Sequence, residues 1–226
     1  MLDLGTSFLA SVARDGTALA IVDGDMRLTY AQWYERISAL VAGLDDLGLR
    51  PGDHLISALQ NRWEAATLHW ACQLTGIIIA PVNWRCKADE LDFCISDAEA
   101  KTVFYEAVSA AAVAASPQAQ SRPKIAVGVP GAADPDFAAL TRSRAADAAA
   151  RVGADAWSVM LYTSGTTARP KGVPRRAGGR SRPRRAEPLR AWRAHAWCHA
   201  ALSHHGCAVA ACHVADRWHI RVPATI

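Results

Sequence analysis

The stretch WSVMLYTSGTTARPKG, residues 157–172, changes character at its middle, and that change decides the fold. Trp157 to Leu161 carry the pattern of a buried strand. From Tyr162 the chain turns to Thr163, Ser164, Gly165, Thr166 and Thr167, four hydroxyl side chains around a glycine that lets backbone N–H groups curve about an anion. Lys171 adds a full positive charge. Donors spread over several oxygens plus an ammonium group are what a polyphosphate requires, and a loop directly after a strand is where α/β sheets bind ligands. The pattern is not a Walker A loop. Counted from Gly165, that loop needs Gly, Lys and Ser or Thr at 170–172, where the chain has Pro170, Lys171 and Gly172. No G-x-G-x-x-G follows a strand. The competing reading is an ordinary polar loop.

Upstream, strands and helices alternate. Ala18–Val22 reads as a strand, Asp23-Gly24-Asp25 as a turn and Arg27–Thr29 as the returning strand. Thr29 caps a helix with Trp33, Ile37, Leu40, Val41 and Leu44 on one face, and Gly48 is placed to end it. A turn at Arg50–Asp53 leads into a strand from His54 to Leu59. Asn61 and Glu64 have capping-box spacing for a helix with Trp63, Ala66, Thr67, Trp70 and Leu74 on one side, stopped at Gly76. The continuous apolar run Ile77–Val82 predicts a strand covered on both faces. Ala88–Ser96 predicts a helix, and Lys101–Tyr105 and Lys124–Val129 predict strands. The alanine-rich stretches 107–120 and 143–151 read either as helices or as tethers, since their composition favours helix but gives them little to bury. Trp33, Trp63 and Trp70 read as core residues. The fold class expected is α/β, built from βαβ units around a largely parallel sheet.

Composition sets outer limits. With 226 residues and 51% hydrophobic content the chain can bury a sizeable core, which excludes a disordered, collagenous or disulfide-stapled class. No apolar run approaches the roughly 20 residues of a membrane span, and no secretory signal is evident, so a cytoplasmic protein with no membrane partner is expected. The net charge of +4 conceals two compositions. Residues 1–174 hold 15 Lys plus Arg against 19 Asp plus Glu, a net of −4, whereas residues 175–226 hold 10 Arg against Glu187 and Asp216, a net of +8.

YTSGTTARPKG, residues 162–172, resembles the phosphate-binding signature of the adenylate-forming (AMP-binding) superfamily, with Ala168 where many members have Gly. LTYAQWYERISALVAGLDDLGLRPGD (28–53) and NRWEAATLHWACQLTGIIIAPVNWRCKADELDFCISDAEAKTVFYE (61–106) resemble earlier elements of the same family, of the acyl-CoA synthetase and aryl-CoA ligase type. The resemblance covers residues 1–176 and implies the N-terminal part of the family's large domain. It also implies a reaction. A carboxylate attacks the α-phosphate of ATP, pyrophosphate leaves, and the thiol of coenzyme A displaces AMP from the acyl-adenylate, with Mg²⁺ neutralising the phosphates. Carried over, Thr163, Ser164, Gly165, Thr166, Thr167 and Lys171 would hold the β- and γ-phosphates. The Tyr-Gly-x-Thr-Glu, Thr-Gly-Asp and lid-lysine segments of the family are not found, so no catalytic residue and no metal ligand is assigned.

Residues 177–226 read differently. Pro183 and Pro188 break any helix there. WCHAALSHHGC (197–207) and ADRWHI (215–220) back-translate, on a one-nucleotide shift, into segments that match the family's continuation. The tail is therefore expected to be out of frame and irregular, and the chain to be truncated, inactive alone and prone to aggregation or chaperone binding. The tail's Cys and His residues show no finger spacing, and the three Cys on either side read as free thiols. The alternative is a non-catalytic basic protein on a truncated nucleotide-binding domain, holding nucleic acid or an anionic surface through the Arg-rich tail, although no specific nucleic-acid partner is expected. Carboxylate-dependent exchange of pyrophosphate into ATP separates the two. The chain alone is expected to show none, and exchange abolished by Lys171→Ala would contradict inactivity.

Overall fold

The computed structural model describes residues 3–142, 146–164 and 170–178. In chain order the elements are α1 (Leu4–Arg14), β1 (Leu19–Asp23), β2 (Met26–Thr29), α2 (Tyr30–Asp46), β3 (His54–Ala58), α3 (Trp63–Thr75), β4 (Ile78–Pro81), α4 (Ala88–Asp97), β5 (Thr102–Tyr105), α5 (Ala110–Ala115), α6 (Pro117–Gln120), β6 (Lys124–Ala126), α7 (Phe137–Leu140), β7 (Trp157–Ser164) and β8 (Pro170–Arg176). β1 and β2 form a separate antiparallel hairpin. The other six strands make one sheet in the order β6-β5-β3-β4-β7-β8, parallel throughout except for the last pair.

Period-two alternation divides the sheet between two apolar layers. Leu55, Ile79, Phe104 and Ile125 point to one face, against Phe8 of α1, Trp33 and Leu40 of α2 and Leu68 of α3. Their neighbours Ile56, Ala80, Val103 and Ala126 point to the other, against Leu91 and Ile95 of α4 and Val113 of α5. The expected α/β class and largely parallel sheet are therefore present. Among the described residues no helix is long and apolar enough to cross a membrane.

The helices show why the sequence breaks where it does. Thr29 accepts from the Gln32 N–H at 3.3 Å while the Gln32 side chain accepts from the Thr29 N–H at 2.9 Å, a complete capping box for α2. Trp33, Ile37, Leu40, Val41 and Leu44 are all buried, as their spacing predicts. Trp33 also donates to the Thr67 hydroxyl at 2.9 Å, which satisfies the indole N–H inside the core. Trp63 and Trp70 are partly buried against the same layer.

Three expectations need correction, and one left open is decided. Asn61 does not cap α3. The cap position is Arg62, and the Trp63 N–H is taken by Asp23 at the end of β1, 3.0 Å away, while Glu64 turns to Arg62 instead. The apolar stripe of α3 is wider than Trp63, Ala66, Thr67, Trp70 and Leu74, because Ala65, Leu68, Ala71 and Cys72 are also buried between α1, α2 and the sheet. Of the two readings of 143–151, the described residues 146–151 follow the tether and not the helix, since their polar groups are spent elsewhere. Ala148 receives the Tyr34 hydroxyl at 2.6 Å and donates its N–H to Ser38, and Arg151 forms a two-bond ion pair with Asp45 at 2.6 and 2.7 Å. That pair holds the Asp45 carboxyl below its ordinary range. Finally, Trp157–Leu161 is not a fully buried strand; Trp157 is 43% exposed, because β7 runs toward the end of the sheet. The N-terminal helix α1, capped by Asp3 at Thr6, and the strand β8 were not anticipated.

Gly76 ends α3 with φ +78, and a Cβ there would overlap Val152. Gly76→Ala should therefore cost about 2 kcal/mol, read as a lower urea midpoint; an unchanged midpoint would show that the 150s loop yields freely. On the same helix His69 meets Trp70 edge-on at 5.7 Å, and burial pushes its imidazole down to about 4. A depressed base is protonated first in the unfolded chain, so its stabilisation is present above pH 6.5 and lost as the pH falls from 6.5 to 4. Replacing His69 with Gln should flatten the stability curve in that window by up to about 1.4 kcal/mol per pH unit. Parallel curves for the two proteins would refute the assignment.

Candidate functional site

The parallel strands end together at one edge of the sheet, and the hairpin of β7 and β8 rises from it. Thr163 pairs with Lys171 and Ser164 with Pro170, so the expected loop is partly strand; β7 continues through Ser164. This register brings Thr163 and Lys171 face to face. Lys171 is exposed, and among the described residues no carboxylate forms an ion pair with it. Gly165, Thr166 and Thr167 lie outside the described residues. The structure thus places Thr163 beside Lys171, with the Ser164 backbone next in line.

The hairpin is fixed from one side. Tyr162 donates from its hydroxyl to Asp97 Oδ2 at 2.9 Å and to the Cys94 carbonyl at 3.3 Å, both on α4, and its ring meets Phe93 edge-on at 6.4 Å. Burial, followed by the Asp97 contact, drives the Tyr162 hydroxyl pKa upward, so it stays a donor. Gly172 lies across from Tyr162 in the register, and a Cβ on it would come within 3.0 Å of Met160 Sδ and 3.1 Å of Asp97 Oδ2. Neither Tyr162, Asp97 nor Gly172 was singled out by the sequence as a site residue. Beyond β8, the Ala177 and Gly178 N–H groups donate to Ala156 and Ala154 at 2.9 and 2.7 Å, tying this part of the chain back to the turn before β7.

A second polar place lies where the crossovers diverge. β3 leads to β4 on one side and β5 to β6 on the other, so the crevice beyond β3 and β5 is the topological switch point, the usual ligand position of such sheets. A cleft of about 330 Å³ opens there, lined by Asp23, Gln60, Arg62, Trp63, Glu64 and Glu106 among others. Its charges are already engaged. Arg62 grips Glu64 with two bonds of 2.7 Å, reaches Glu106 at 3.1 Å and donates to the Val127 carbonyl at 3.3 Å. Glu106 also accepts the Gln60 N–H. Asp23 holds the start of α3. The two carboxylates push the Arg62 pKa above its ordinary value, so the guanidinium stays charged. Removing one partner of such a cluster leaves buried charge uncompensated, which marks it as a structural clamp.

Metal chemistry finds no ligand set of three or more His, Cys, Asp or Glu among the described residues. Cys72, Cys86 and Cys94 are free thiols; burial pushes Cys86 up to about 11 and Cys94 up to about 12, so both remain protonated near neutrality. Residues 179–226, which hold the tail's Cys, His and Arg residues and all of the expected irregular segment 177–226 except Ala177 and Gly178, lie outside the described residues.

Comparison with known proteins agrees with this architecture. The model of the AMP-binding enzyme family matches residues 8–215. A long-chain-fatty-acid–CoA ligase of Mycobacterium tuberculosis is 37% identical over 150 residues, which are 66% of this chain and 29% of that protein. A feruloyl-CoA synthase of an Amycolatopsis species is 32% identical over 156 residues, 69% of this chain and 30% of the relative. Among solved structures, ATP-bound MatB from Rhodopseudomonas palustris superposes with a TM-score of 0.66 at 28% identity, covering 78% of this chain and 35% of that one. The chain spans about 30% of the length of the curated relatives it matches. With a parallel sheet carrying a Thr/Lys hairpin at its end, and a family match over most of its length, the chain belongs to the AMP-binding enzyme family.

Proposed function

We propose that the chain holds the β- and γ-phosphates of ATP at the β7–β8 hairpin, as the N-terminal part of an acyl- or aryl-CoA ligase. The observation that carries this reading is the Thr163–Lys171 register, which sets a hydroxyl-bearing residue against an exposed ammonium group that has no ion-pair partner among the described residues. Such a pair fits an anion. Lys171 offsets phosphate charge, and the Thr163 hydroxyl donates to a phosphate oxygen as a neutral partner. Gly165, Thr166 and Thr167 add backbone and side-chain donors in the same reading.

In the reaction proposed, a carboxylate oxygen of the acid attacks the α-phosphorus, and the bond to the β-phosphate oxygen breaks as pyrophosphate leaves. The coenzyme A sulfur then attacks the acyl carbon, AMP departs with the bonding electrons, and the thiol proton passes to solvent. The hairpin contributes position and electrostatics, holding the leaving pyrophosphate, and supplies no nucleophile. Mg²⁺ bound with the nucleotide would neutralise further phosphate charge. The acid itself is a small-molecule carboxylate, acyl or aryl.

Calorimetric titration of the 226-residue chain with pyrophosphate, and separately with Mg·ATP, tests the reading. Lys171→Ala should weaken both by about tenfold or more, since a charge-assisted contact contributes on the order of 1.5–3 kcal/mol. Its circular dichroism should not change, because Lys171 is exposed. Equal affinity of the variant, or no binding by the unaltered chain, would contradict it.

A further inference from the structure

The geometry points to Tyr162 as the positioning residue of the phosphate-binding hairpin, acting through Asp97 on α4; this rests on the phosphate-binding reading above. The base of the hairpin is tied by the Ala177 and Gly178 N–H groups to Ala156 and Ala154, and by Ser158 to Gln73, all short of the Thr163–Lys171 pair. Among the described residues β7 has one registered pair with the parallel sheet, Ile79 with Val159, whereas the Thr163–Lys171 pair stands four residues further along. Over that distance the strand gains no further registered partner in β4 among the described residues.

What it gains is α4. The Tyr162 hydroxyl reaches Asp97 at 2.9 Å and the Cys94 carbonyl at 3.3 Å, so one side chain binds two points on the last turns of that helix. Phe93 braces the ring from its edge. Across the hairpin, Gly172 lets β8 lie close over the same contact, where a Cβ would stand 3.4 Å from the Tyr162 ring and 3.1 Å from Asp97 Oδ2. Tyr162 immediately precedes Thr163, and Gly172 immediately follows Lys171. Both cradle residues are thus flanked by the residues that touch α4, and a displacement of the Tyr162–Asp97 contact moves both.

α4 itself is firmly seated. Leu91 and Ile95 are fully buried under the sheet, so the helix that carries the exposed Asp97 is itself anchored in the core. Tyr162 does not touch the phosphates in this account. It holds the residues that do.

The test uses the full chain. Tyr162→Phe keeps the ring and its Phe93 contact and deletes only the hydroxyl. It is expected to weaken Mg·ATP binding about tenfold, the size of a lost hydrogen bond to a charged acceptor. Asp97→Ala should weaken it comparably, and combining the two should cost no more than either alone, because they remove one interaction. Asp97→Asn keeps an acceptor for the hydroxyl and should restore near-normal binding, a rescue that a general loss of stability would not produce. If the unaltered chain binds Mg·ATP and Tyr162→Phe binds it equally, the positioning role is overturned while the phosphate reading stands. If the unaltered chain does not bind, the phosphate reading fails, and hydrogen exchange decides the rest. Selective loss of amide protection over residues 159–164 and 170–176 in Tyr162→Phe supports Tyr162 as the anchor, and unchanged protection there overturns it.

Discussion

A parallel sheet has to be covered on both faces, and the rest of this structure follows from meeting that requirement. Each strand supplies side chains to both layers in alternation, as Leu55 and Ile56, Ile79 and Ala80, and Phe104 and Val103 do. The helices must then be shared between the faces, with α1 to α3 on one and α4 to α6 on the other. That division forces the chain to cross the sheet, and the strand order β6-β5-β3-β4-β7-β8 is the result. All parallel strands therefore end at a common edge, which is where polar chemistry can gather without disturbing either layer.

Two places along that edge compete for a ligand. At the switch point beyond β3 and β5, Arg62 spans Glu64 and Glu106, and the backbone of Gln60 and Val127 completes the set. Side chains of the protein itself thus occupy the electrostatic role that a bound ion would take. At the β7–β8 hairpin the balance is reversed. Lys171 is exposed without a carboxylate partner among the described residues, and the polar effort goes into fixing the hairpin through Tyr162 and Asp97. The charges at the switch point are satisfied internally, whereas the Lys171 ammonium at the hairpin has no carboxylate partner among the described residues.

The sequence made the strands and their order of appearance legible because the signals were local. Thr29, Gly48 and Gly76 mark helix ends by backbone chemistry, and the run Ile77–Val82 has the pattern of a strand covered on both faces, of which Ile78–Pro81 is strand. What escaped depended on distant partners. Asn61 looked like a cap, but Asp23, 40 residues earlier, takes the Trp63 N–H. The alanine-rich 146–151 stretch reads as helix or tether by composition, and Asp45, Ser38 and Tyr34, which claim its polar groups, decide for the tether. Tyr162 stood inside the recognised motif without a role, since Asp97 lies 65 residues before it. A tertiary hydrogen bond leaves no periodicity in the chain.

We propose that the nucleotide's phosphates are received at the β7–β8 hairpin and not at the switch-point crevice. Backbone amide chemical shifts, recorded as Mg·ATP is added to the chain, test it most directly. The account predicts that the largest changes fall on Thr163, Ser164 and Lys171, while Gln60, Arg62 and Glu106 stay in place. Changes centred on Gln60, Arg62 and Glu106, with the hairpin unmoved, would contradict it.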